Sequence, residues 1–434
     1  MQIILRLAAA ISAFGILSTA ISAQDYEKRI MEDSGFAASI YHPYMAPEGA
    51  VTTPAPKGFK PFYISHYGRH GSRHQADKNI SRGYDIMKAA EAADILTPKG
   101  KELMADFEIL NEDHDGQLGH LSLRGAREHR EIAARMYARY PGVFRDKARR
   151  KVFCQSSIFP RCIMSMTNFT TSLKECRPSL DFEFVTGERY MDILCHDFYR
   201  SKEIFRSDDM MYDSLVRALI NPERILKSLF IDDPVRVGKV ITDTTKFIKG
   251  LYTGSAICEC LDYLGLNLFD KYFTKEEIVA MFVAYNDRIY GNYGNSAEFG
   301  PRVLWSARFL LEDFIDRAEA AIADGSGMAA DLRFGHDTGV MPLGLLIGVE
   351  ELGGVVPRNR AHLTFNTTVL MPMGSNIQWI FYRNKKGEVL VKFLYNEKET
   401  RLTGIPSFDG PYYRWSDIKP YFESLCRDKS APAI

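Results

Sequence analysis

Short apolar runs alternate with longer amphipathic stretches along most of the chain, as they do where strands alternate with helices. Four runs that are rich in β-branched and aromatic residues predict strands, at 61–67, 151–155, 182–185 and 331–334. The runs 377–383 and 388–395 flank the turn-forming residues 384–387, and this pattern predicts a β-hairpin.

Helix signals follow several of these strands. Thr97 and Pro98 have the form of an N-cap and a first-turn proline, which predicts a helix from there to about Leu110. Ser122 is the predicted N-cap of a longer helix, whose apolar face carries Ile132, Met136 and Tyr140. Further helices are predicted at 161–173 and from the strand at 331–334 to about residue 347.

Residues 196–300 differ from the rest, because strand signals are sparse and helical periodicity dominates. Thr274 and Glu277 have the spacing of a capping box before an apolar run. Strands that alternate with helices around such an insertion predict an α/β fold, with a mostly parallel sheet flanked by helices and an inserted helical cap domain. The predicted divisions are a signal peptide at 1–23, a core formed by 24–195 and 301–434, and a cap at 196–300.

Composition and charge narrow the classes of function. The chain has 434 residues, of which 46% are hydrophobic and 25% charged, and this composition is typical of globular proteins. Its 55 basic and 55 acidic residues give a formal net charge of zero, whereas a general nucleic-acid binder carries a basic surplus. We therefore expect no nucleic-acid partner, and any anion-binding site has to arise from a local basic cluster.

The first 23 residues form an apolar segment with one basic residue, Arg6, and small residues before Gln24. This is the pattern of a secretory signal peptide that is cleaved after Ala20 or Ala23, and the alternative is an uncleaved membrane anchor. The first interpretation predicts export to a periplasm, the cell exterior or the lumen of a secretory pathway. It also predicts no stable membrane insertion of the mature protein.

The seven cysteines are irregularly spaced and include no C-x-x-C pair. A structural zinc site of the usual kind is therefore not expected. Two alternatives remain for these residues, namely one or two disulfides formed after export, or thiols that are mostly free and buried.

Histidine, arginine and aspartate side chains follow three of the predicted strands where each strand ends. They are Arg69, His70, Arg73 and His74 after the first strand, Arg161 after the second, and His336 and Asp337 after the third. Because ligands of α/β sheets bind beyond the carboxyl ends of the strands, we expect these side chains to meet at one edge of the sheet.

This set of side chains suits a phosphate ester, which carries about −1.5 to −2 charges near neutral pH. Arg69, Arg73 and Arg161 offer planar, permanently charged donors for the phosphate oxygens. His70 is the candidate nucleophile, because a neutral imidazole nitrogen can attack phosphorus and form a phosphohistidine. The partner that we expect is therefore a small anionic phosphate ester.

The remaining candidates complete this chemistry. Asp337 is the candidate general acid for the leaving alkoxide and, as a carboxylate, the base for the water that hydrolyses the phosphohistidine. His336 is the candidate stabiliser of charge on the transferring oxygens. His74 and Lys78 are candidates for binding further phosphates, from their charge and proximity alone. Gly71 is expected to let the backbone approach the anion closely.

An alternative interpretation is a metal site at His66, His70 and His74, whose spacing places them on one face if the segment is a helix. Gly68 and Gly71, after a strand-like run, argue against a helix there. His66 is then a core histidine within the strand, and we expect neither a metal nor another cofactor.

The same residues resemble the histidine acid phosphatases, the second branch of the histidine phosphatase superfamily. Their signature R-H-G-x-R-x-P is similar to residues 69–75, and their distal H-D pair to His336-Asp337, with about 265 residues between the two histidines. Arg161 stands where that family has its third phosphate-binding arginine. The resemblance implies phosphomonoester hydrolysis through a phosphohistidine, without a metal cofactor.

Within this branch the chain is similar to the multiple inositol polyphosphate phosphatases and phytases, at residues 157–162 and 332–336. Gln75 replaces the signature proline, and His336-Asp337-Thr338 stands where that group commonly has H-A-E, so the resemblance implies Asp337 as the proton donor. The resemblance implies inositol polyphosphates, or related small esters such as bisphosphoglycerate, as substrates. The alternatives are a broad-specificity acid phosphatase, a phosphotransferase or mutase built on the same residues, and a non-catalytic phosphate-binding protein.

Overall fold

The computed structural model describes residues 23–194, 202–323 and 325–427. The strands of this part of the chain are β1 (Lys60–Arg69), β2 (Lys151–Ser156), β3 (Asp181–Thr186), β4 (Met328–Gly335), β5 (Asn376–Arg383), β6 (Val389–Tyr395), β7 (Lys398–Thr400) and β8 (Tyr412–Arg414). The helices are α1 (Ala23–Glu32), α2 (Asn79–Ala92), α3 (Pro98–His114), α4 (Leu123–Arg139), α5 (Pro141–Arg145), α6 (Pro160–Cys176), α7 (Met191–Leu194), α8 (Lys202–Leu219), α9 (Pro222–Leu229), α10 (Pro234–Val240), α11 (Thr244–Cys258), α12 (Leu268–Tyr272), α13 (Lys275–Tyr293), α14 (Gly300–Ser306), α15 (Arg308–Ile322), α16 (Asp337–Ile347), α17 (Thr367–Leu370) and α18 (Trp415–Arg427). The predicted strands are confirmed, each within a few residues of its expected bounds.

The strands form one sheet in the order β3-β2-β4-β1-β5-β6-β7, and β8 pairs with β6. Four strands are parallel to one another, namely β3, β2, β4 and β1. The rest of the sheet is antiparallel, because β5 pairs antiparallel with β1, and β6 pairs antiparallel with β5, β7 and β8. The predicted α/β class is confirmed. The prediction of a mostly parallel sheet is right only for the first half, because the hairpin of β5 and β6 needs no crossover helix and extends the edge of β1.

Apolar layers cover both faces of the sheet, which explains why β1 and β4 are apolar over most of their length. On one face Ile64 and Leu332 belong to the same apolar cluster as Phe169 of α6. On the other face Tyr63 and Tyr67 belong to a second cluster, which includes the core of α15. These layers fix the position of both strands, and therefore the position of the residues that follow them.

Side-chain caps begin the helices at the predicted residues. The Thr97 hydroxyl accepts the Gly100 N–H at 3.0 Å at the start of α3, and the Ser122 hydroxyl accepts the Gly125 N–H at 3.3 Å at the start of α4. The predicted capping box is present at the start of α13, with both of its hydrogen bonds. Each cap contributes about 1 kcal/mol by satisfying an amide that the helix leaves unpaired.

Helices α10 and α11 pack against α2, and α9 and α12 pack against α3. Both α2 and α3 precede β2 in the chain. The Thr97 N–H donates to the Leu229 carbonyl at 3.0 Å where α3 meets α9, and Lys271 of α12 forms an ion pair with Asp106 of α3 at 2.9 Å. The division into a core at 24–195 and 301–434 and a cap at 196–300 stays a prediction.

The predicted signal peptide lies outside the described residues apart from Ala23, at which α1 begins. Within the described ranges, no helix is long and apolar enough to cross a membrane. Every cysteine that the structure describes is a free thiol, and these thiols are buried except at the half-buried Cys176. Cys195 lies outside the described residues, so the alternative of free thiols is confirmed for the other six.

Candidate active site

Three strand ends lie side by side at one edge of the sheet. β4 lies between β2 and β1, and Arg69 at the end of β1 is opposite Gly335 at the end of β4. The pairing continues past the strands, because the His70 N–H donates to the Gly335 carbonyl and the Ser157 N–H donates to the Phe334 carbonyl, both at 3.0 Å. The structure therefore brings together the segments that follow the three strands.

The His70 ring is buried at this edge, with its centroid 5.6 Å from that of His336. Its Nδ1 lies 2.9 Å from the carbonyl oxygen of Gly71. A carbonyl oxygen only accepts hydrogen bonds, so Nδ1 carries the proton and the lone pair is on Nε2. The imidazole is thus held in the tautomer that a nucleophilic Nε2 requires.

Arg69 and Asp337 form an ion pair at the site. Arg69 is fully buried, and its Nη1 donates to the carbonyls of Ile40 and Met371 at 2.9 and 2.8 Å. Its Nη2 lies 3.2 Å from Oδ2 of Asp337, whose side chain is 14% exposed. The Asp337 Oδ1 accepts the Thr338 N–H at 3.0 Å in the first turn of α16. The carboxylate is therefore fixed in orientation and still reachable from solvent.

Arg73 and Arg161 approach from the loop after β1 and from the first turn of α6. The Arg73 Nη1 donates to the His74 carbonyl at 2.8 Å. The Arg161 guanidinium lies 4.7 Å from the ring centroid of Phe159, and its Nη2 is 3.4 Å from Nδ1 of His336. The charges of both guanidinium groups act on the rings of His70 and His336, so both arginines lie near the edge where the two histidines meet.

Burial and the arginines keep both histidines neutral. Burial, followed by the charge of Arg161, lowers the pKa of His70 well below its usual value of 6.5. The same two causes lower the pKa of His336 to about 3, although the nearby Asp337 acts in the opposite direction. Near neutral pH both rings are therefore uncharged, and His70 keeps the lone pair that nucleophilic attack needs.

His336 is held from both sides at the start of α16. Its N–H donates to the Tyr67 hydroxyl at 3.0 Å, and its Nε2 lies 3.1 Å from the Ser157 hydroxyl oxygen. The Cys162 sulfur is 3.7 Å from the same nitrogen. Because a hydroxyl can donate or accept, Ser157 supports either tautomer of the ring.

Glu128 of α4 holds the loop that carries His70. Its buried carboxylate accepts the Ser72 N–H at 2.8 Å and the Ser72 hydroxyl at 2.7 Å. Gly71 packs on the same helix, and a Cβ at this position would lie 2.7 Å from the Gly125 carbonyl oxygen. The lack of a Cβ therefore lets α4 pack against the loop, and the expectation that Gly71 lets the backbone approach the anion closely stays a prediction.

His74 and Lys78 differ in their surroundings. The His74 Nε2 lies 3.0 Å from Oδ2 of Asp113 and 3.3 Å from the Tyr263 hydroxyl. Lys78 is exposed just before α2. His74 is thus paired with α3 and with the segment before α12, and the role of both residues in binding further phosphates stays a prediction.

His66 lies within β1, and its ring packs against Phe169 and Phe334 at centroid distances of 5.3 and 5.5 Å. Because β1 continues through Arg69, His66 and His70 do not share a helix face. The helix on which the alternative metal site depends is therefore absent, as the glycines of this segment indicated.

Gln75 has a specific partner at the position where the family signature has proline. Its N–H donates to Nε2 of His114 at 3.0 Å, and the His114 Nδ1 lies 2.7 Å from the Leu110 carbonyl oxygen. A proline has no N–H and could not make the first of these bonds. The departure from the signature thus ties the loop to α3.

Sequence reasoning gave no role to Ser157, Glu128 or Tyr67, although each contacts a site residue. Ser157 follows its strand as His70 follows β1, so its position at a strand end was a usable signal. Glu128 lies at an ordinary polar position of an amphipathic helix. Nothing in the local pattern distinguishes it from a solvent-exposed glutamate.

Comparisons with known proteins agree in fold. No protein-family model matches the chain, and no curated protein matches it in sequence. The multiple inositol polyphosphate phosphatase of Bifidobacterium longum, solved in complex with inositol hexasulfate, is similar at a TM-score of 0.73 and 19% identity, over 91% of this chain and 98% of that one. The phytase of D. castellii is similar at a TM-score of 0.66 and 15% identity, over 92% of this chain and 86% of that one. The phytase of Hafnia alvei is similar at a TM-score of 0.52 and 13% identity, over 86% of this chain and 98% of that one. The chain therefore has the fold of these phosphatase and phytase structures, as its resemblance to the histidine acid phosphatases implied.

Proposed function

We propose that the protein is a phosphomonoester hydrolase that acts through a phosphohistidine on His70, with inositol polyphosphates as substrates. The observation that carries this proposal is the unprotonated Nε2 of His70, within the field of Arg69, Arg73 and Arg161. A phosphate dianion repels a nucleophile unless its charge is neutralised first. Each arginine contact contributes roughly 4 kcal/mol at an effective dielectric constant of about 20, before desolvation is subtracted.

In the first step the His70 Nε2 attacks phosphorus and the bond from phosphorus to the ester oxygen breaks. Protonated Asp337 gives its proton to the departing oxygen, so that an alcohol leaves rather than an alkoxide. The ring becomes positively charged when the new P–N bond forms. Its Nδ1–H stays bonded to the Gly71 carbonyl, which stabilises that charge.

In the second step the Asp337 carboxylate removes a proton from water, and the oxygen of that water attacks phosphorus. The P–N bond breaks, inorganic phosphate leaves, and the electron pair returns to Nε2 of His70. Arg161 and His336 lie 3.4 Å apart on one side of the site, where both can contact the transferring oxygens. The Arg161 guanidinium only donates, so in the empty site its contact uses the lone pair of His336 Nδ1, and the ring proton is on Nε2. His336 can donate to the transferring oxygens once the anion replaces this contact and the proton is on Nδ1, a tautomer that the Ser157 hydroxyl supports by donating to Nε2.

The substrate class is supported by the fold and by the site together. The Bifidobacterium longum structure, which shares the fold, holds inositol hexasulfate, a ring with several anionic groups. The candidate site of this chain provides three guanidinium groups for one such group. A phosphotransferase or mutase needs the same residues with water kept out, and the 14% exposure of Asp337 favours hydrolysis instead.

A panel of phosphate esters tests the proposal, and it includes inositol hexakisphosphate, bisphosphoglycerate, an aryl phosphate and glycerol phosphate. We expect phosphate release from these esters, with the highest rate per molecule of enzyme on inositol polyphosphates. We expect no phosphate release in His70→Ala. The control is His120→Ala, which removes an exposed histidine side chain and keeps the backbone carbonyl that accepts the His74 N–H. Phosphate binding without release would leave only a binding protein, and transfer to an added alcohol in place of release would indicate a transferase.

A further inference from the structure

The proposed reaction does not explain how Asp337 comes to be protonated, although a general acid has to hold a proton when the substrate is bound. Arg69 lies 3.2 Å from its Oδ2, and the carboxylate stands in the first turn of α16, where the helix dipole favours negative charge. Arg161 and Arg73 add positive charge to the same edge of the sheet. All of these groups favour the ionised form in the empty site.

The hydrogen bonds of Arg69 suggest how this state changes. Its Nη1 is committed to two backbone carbonyls, which fix the guanidinium in place. Its Nη2 forms no hydrogen bond, is buried, and contacts Asp337 only as an ion pair. A bound anion at His70 would share the charge of this guanidinium with Asp337, while placing new negative charge beside the carboxylate.

We propose that anion binding drives protonation of Asp337, with Arg69 as the group that couples the two events; this rests on the proposed function. The empty site holds the Arg69–Asp337 ion pair, and the loaded site holds an Arg69–phosphate pair beside a neutral carboxyl. One proton from solvent is taken up on binding and is passed to the ester oxygen when the P–O bond breaks. Substrate binding therefore prepares the general acid, and Arg69 is a positioning residue for that proton.

The titratable groups that face this pair define the competing outcomes. His336 precedes Asp337, His70 follows Arg69, and Cys162 of α6 lies beside His336. Either imidazole could take the proton instead, because a bound anion opposes the effect of the arginines on both. The proposal assigns the proton to the carboxyl, since the rings are buried and lose it more readily.

Sulfate is the probe, because it stays fully ionised above about pH 4 and brings no proton of its own. Titration calorimetry near pH 6, in buffers that differ in ionisation enthalpy, measures the protons taken up per sulfate bound. We expect about one proton for the wild-type protein, and an affinity that falls about tenfold per pH unit once the empty carboxyl is ionised. In Asp337→Asn we expect no uptake and an affinity independent of pH.

Asp417→Asn is the matched control, because Asp417 also lies in the first turn of a helix but is exposed and distant in the fold. It should keep the proton uptake of the wild type. Uptake that persists in Asp337→Asn would place the proton on a histidine and overturn the proposal, as would sulfate binding without uptake in the wild type. The proposed function fails separately, if no phosphate ester is hydrolysed.

Discussion

Two clusters of arginine and aspartate lie along β1 and β4, and they differ in charge balance. In the middle of the strands, two arginines face two aspartates in ion pairs; these are Arg317 and Arg333 with Asp313 and Asp331. At the strand ends, three arginines face one aspartate; these are Arg69, Arg73 and Arg161 with Asp337. Even if Glu128 behind the loop is counted, the strand-end cluster keeps an excess of positive charge.

This difference separates structure from function. In the middle cluster the Tyr63 hydroxyl and the Ser65 hydroxyl complete the hydrogen bonds of Asp331 and Arg333, at 2.7 and 3.0 Å. Such a network is satisfied internally and has no capacity for a ligand. Under the proposed function, an anion of about two negative charges balances the excess positive charge of the strand-end cluster. The middle cluster is balanced by its own ion pairs, and the strand-end cluster is the proposed site.

The largest expected effect is on the carboxylate of the strand-end cluster. Asp337→Asn should slow esters of poorly acidic alcohols by about 10²- to 10⁴-fold, because the alkoxide then leaves without a proton. Aryl phosphates, whose leaving groups need little protonation, should be slowed far less. The values of kcat/KM for an aryl and an alkyl phosphate measure this, because kcat/KM reports the step in which the alcohol leaves and not the later hydrolysis of the phosphohistidine. Equal loss of kcat/KM for both esters would remove Asp337 from the acid role.

Substitutions in the middle cluster should lower the stability of the fold. Arg333→Met removes a fully buried guanidinium and leaves the half-buried Asp313 with one partner fewer, and we expect a loss of about 3–5 kcal/mol in the free energy of unfolding, measured in urea. The double variant Arg333→Met/Asp313→Leu should regain part of this loss, because the unpaired charge is gone. A loss below about 1 kcal/mol would show that the network does not hold the strands.

Removal of one arginine from the strand-end cluster should lower activity and leave stability unchanged. Arg161→Met should lower kcat/KM by about 10²- to 10³-fold, the range for loss of one charge-stabilising donor. Stability should not fall, because one of three like charges is gone. Arg177→Met, at the other end of α6, is the matched control. Unchanged kcat/KM in Arg161→Met would contradict the comparison between the clusters.

The smallest expected effect of a single side chain is on the dependence of stability on pH. Burial lowers the pKa of His66 and His129 to about 3, as it does for His336, whereas the unfolded chain binds these protons near pH 6.5. Stability should therefore fall as the pH drops below about 6.5, by up to about 1.4 kcal/mol per pH unit for each histidine.

Urea unfolding at several pH values between about 6.5 and 4.5 measures this slope. His129→Leu should flatten it by one histidine's share, while the pH profile of activity stays that of the wild type, because His129 packs against Phe169 and Phe334 beneath the site. Stability that rises on acidification would show that these histidines are not held neutral.

The sequence predicted the strand-end cluster because its information is local. Each strand and the polar residues after it are contiguous, and parallel strands bring their carboxyl ends to one edge. His70, Arg161 and His336 meet for this reason. The antiparallel hairpin of β5 and β6 was predicted, because its pattern is also local. Its attachment to β1 was missed, because this pairing joins segments about 300 residues apart and no local pattern specifies that partner.

The contacts of the loop after β1 could not be predicted from the sequence, because they too join segments that are distant in the chain. His74 is paired with Asp113 and Tyr263, which come from α3 and from a segment about 190 residues later in the chain. Glu128 supports the loop from a helix whose pattern is merely amphipathic. Such contacts depend on how the helices pack on the sheet, and the hydrophobic periodicity of a helix does not specify that packing.

The covalent intermediate tests the central claim most directly. The enzyme is mixed with an aryl phosphate, quenched in alkali within milliseconds, where a phosphohistidine survives, and digested for mass spectrometry. We expect one phosphate on the peptide that contains His70, absent in His70→Ala and longer-lived in Asp337→Asn. Turnover with no phosphate on His70 at any quench time, or with phosphate on another residue, would contradict the account.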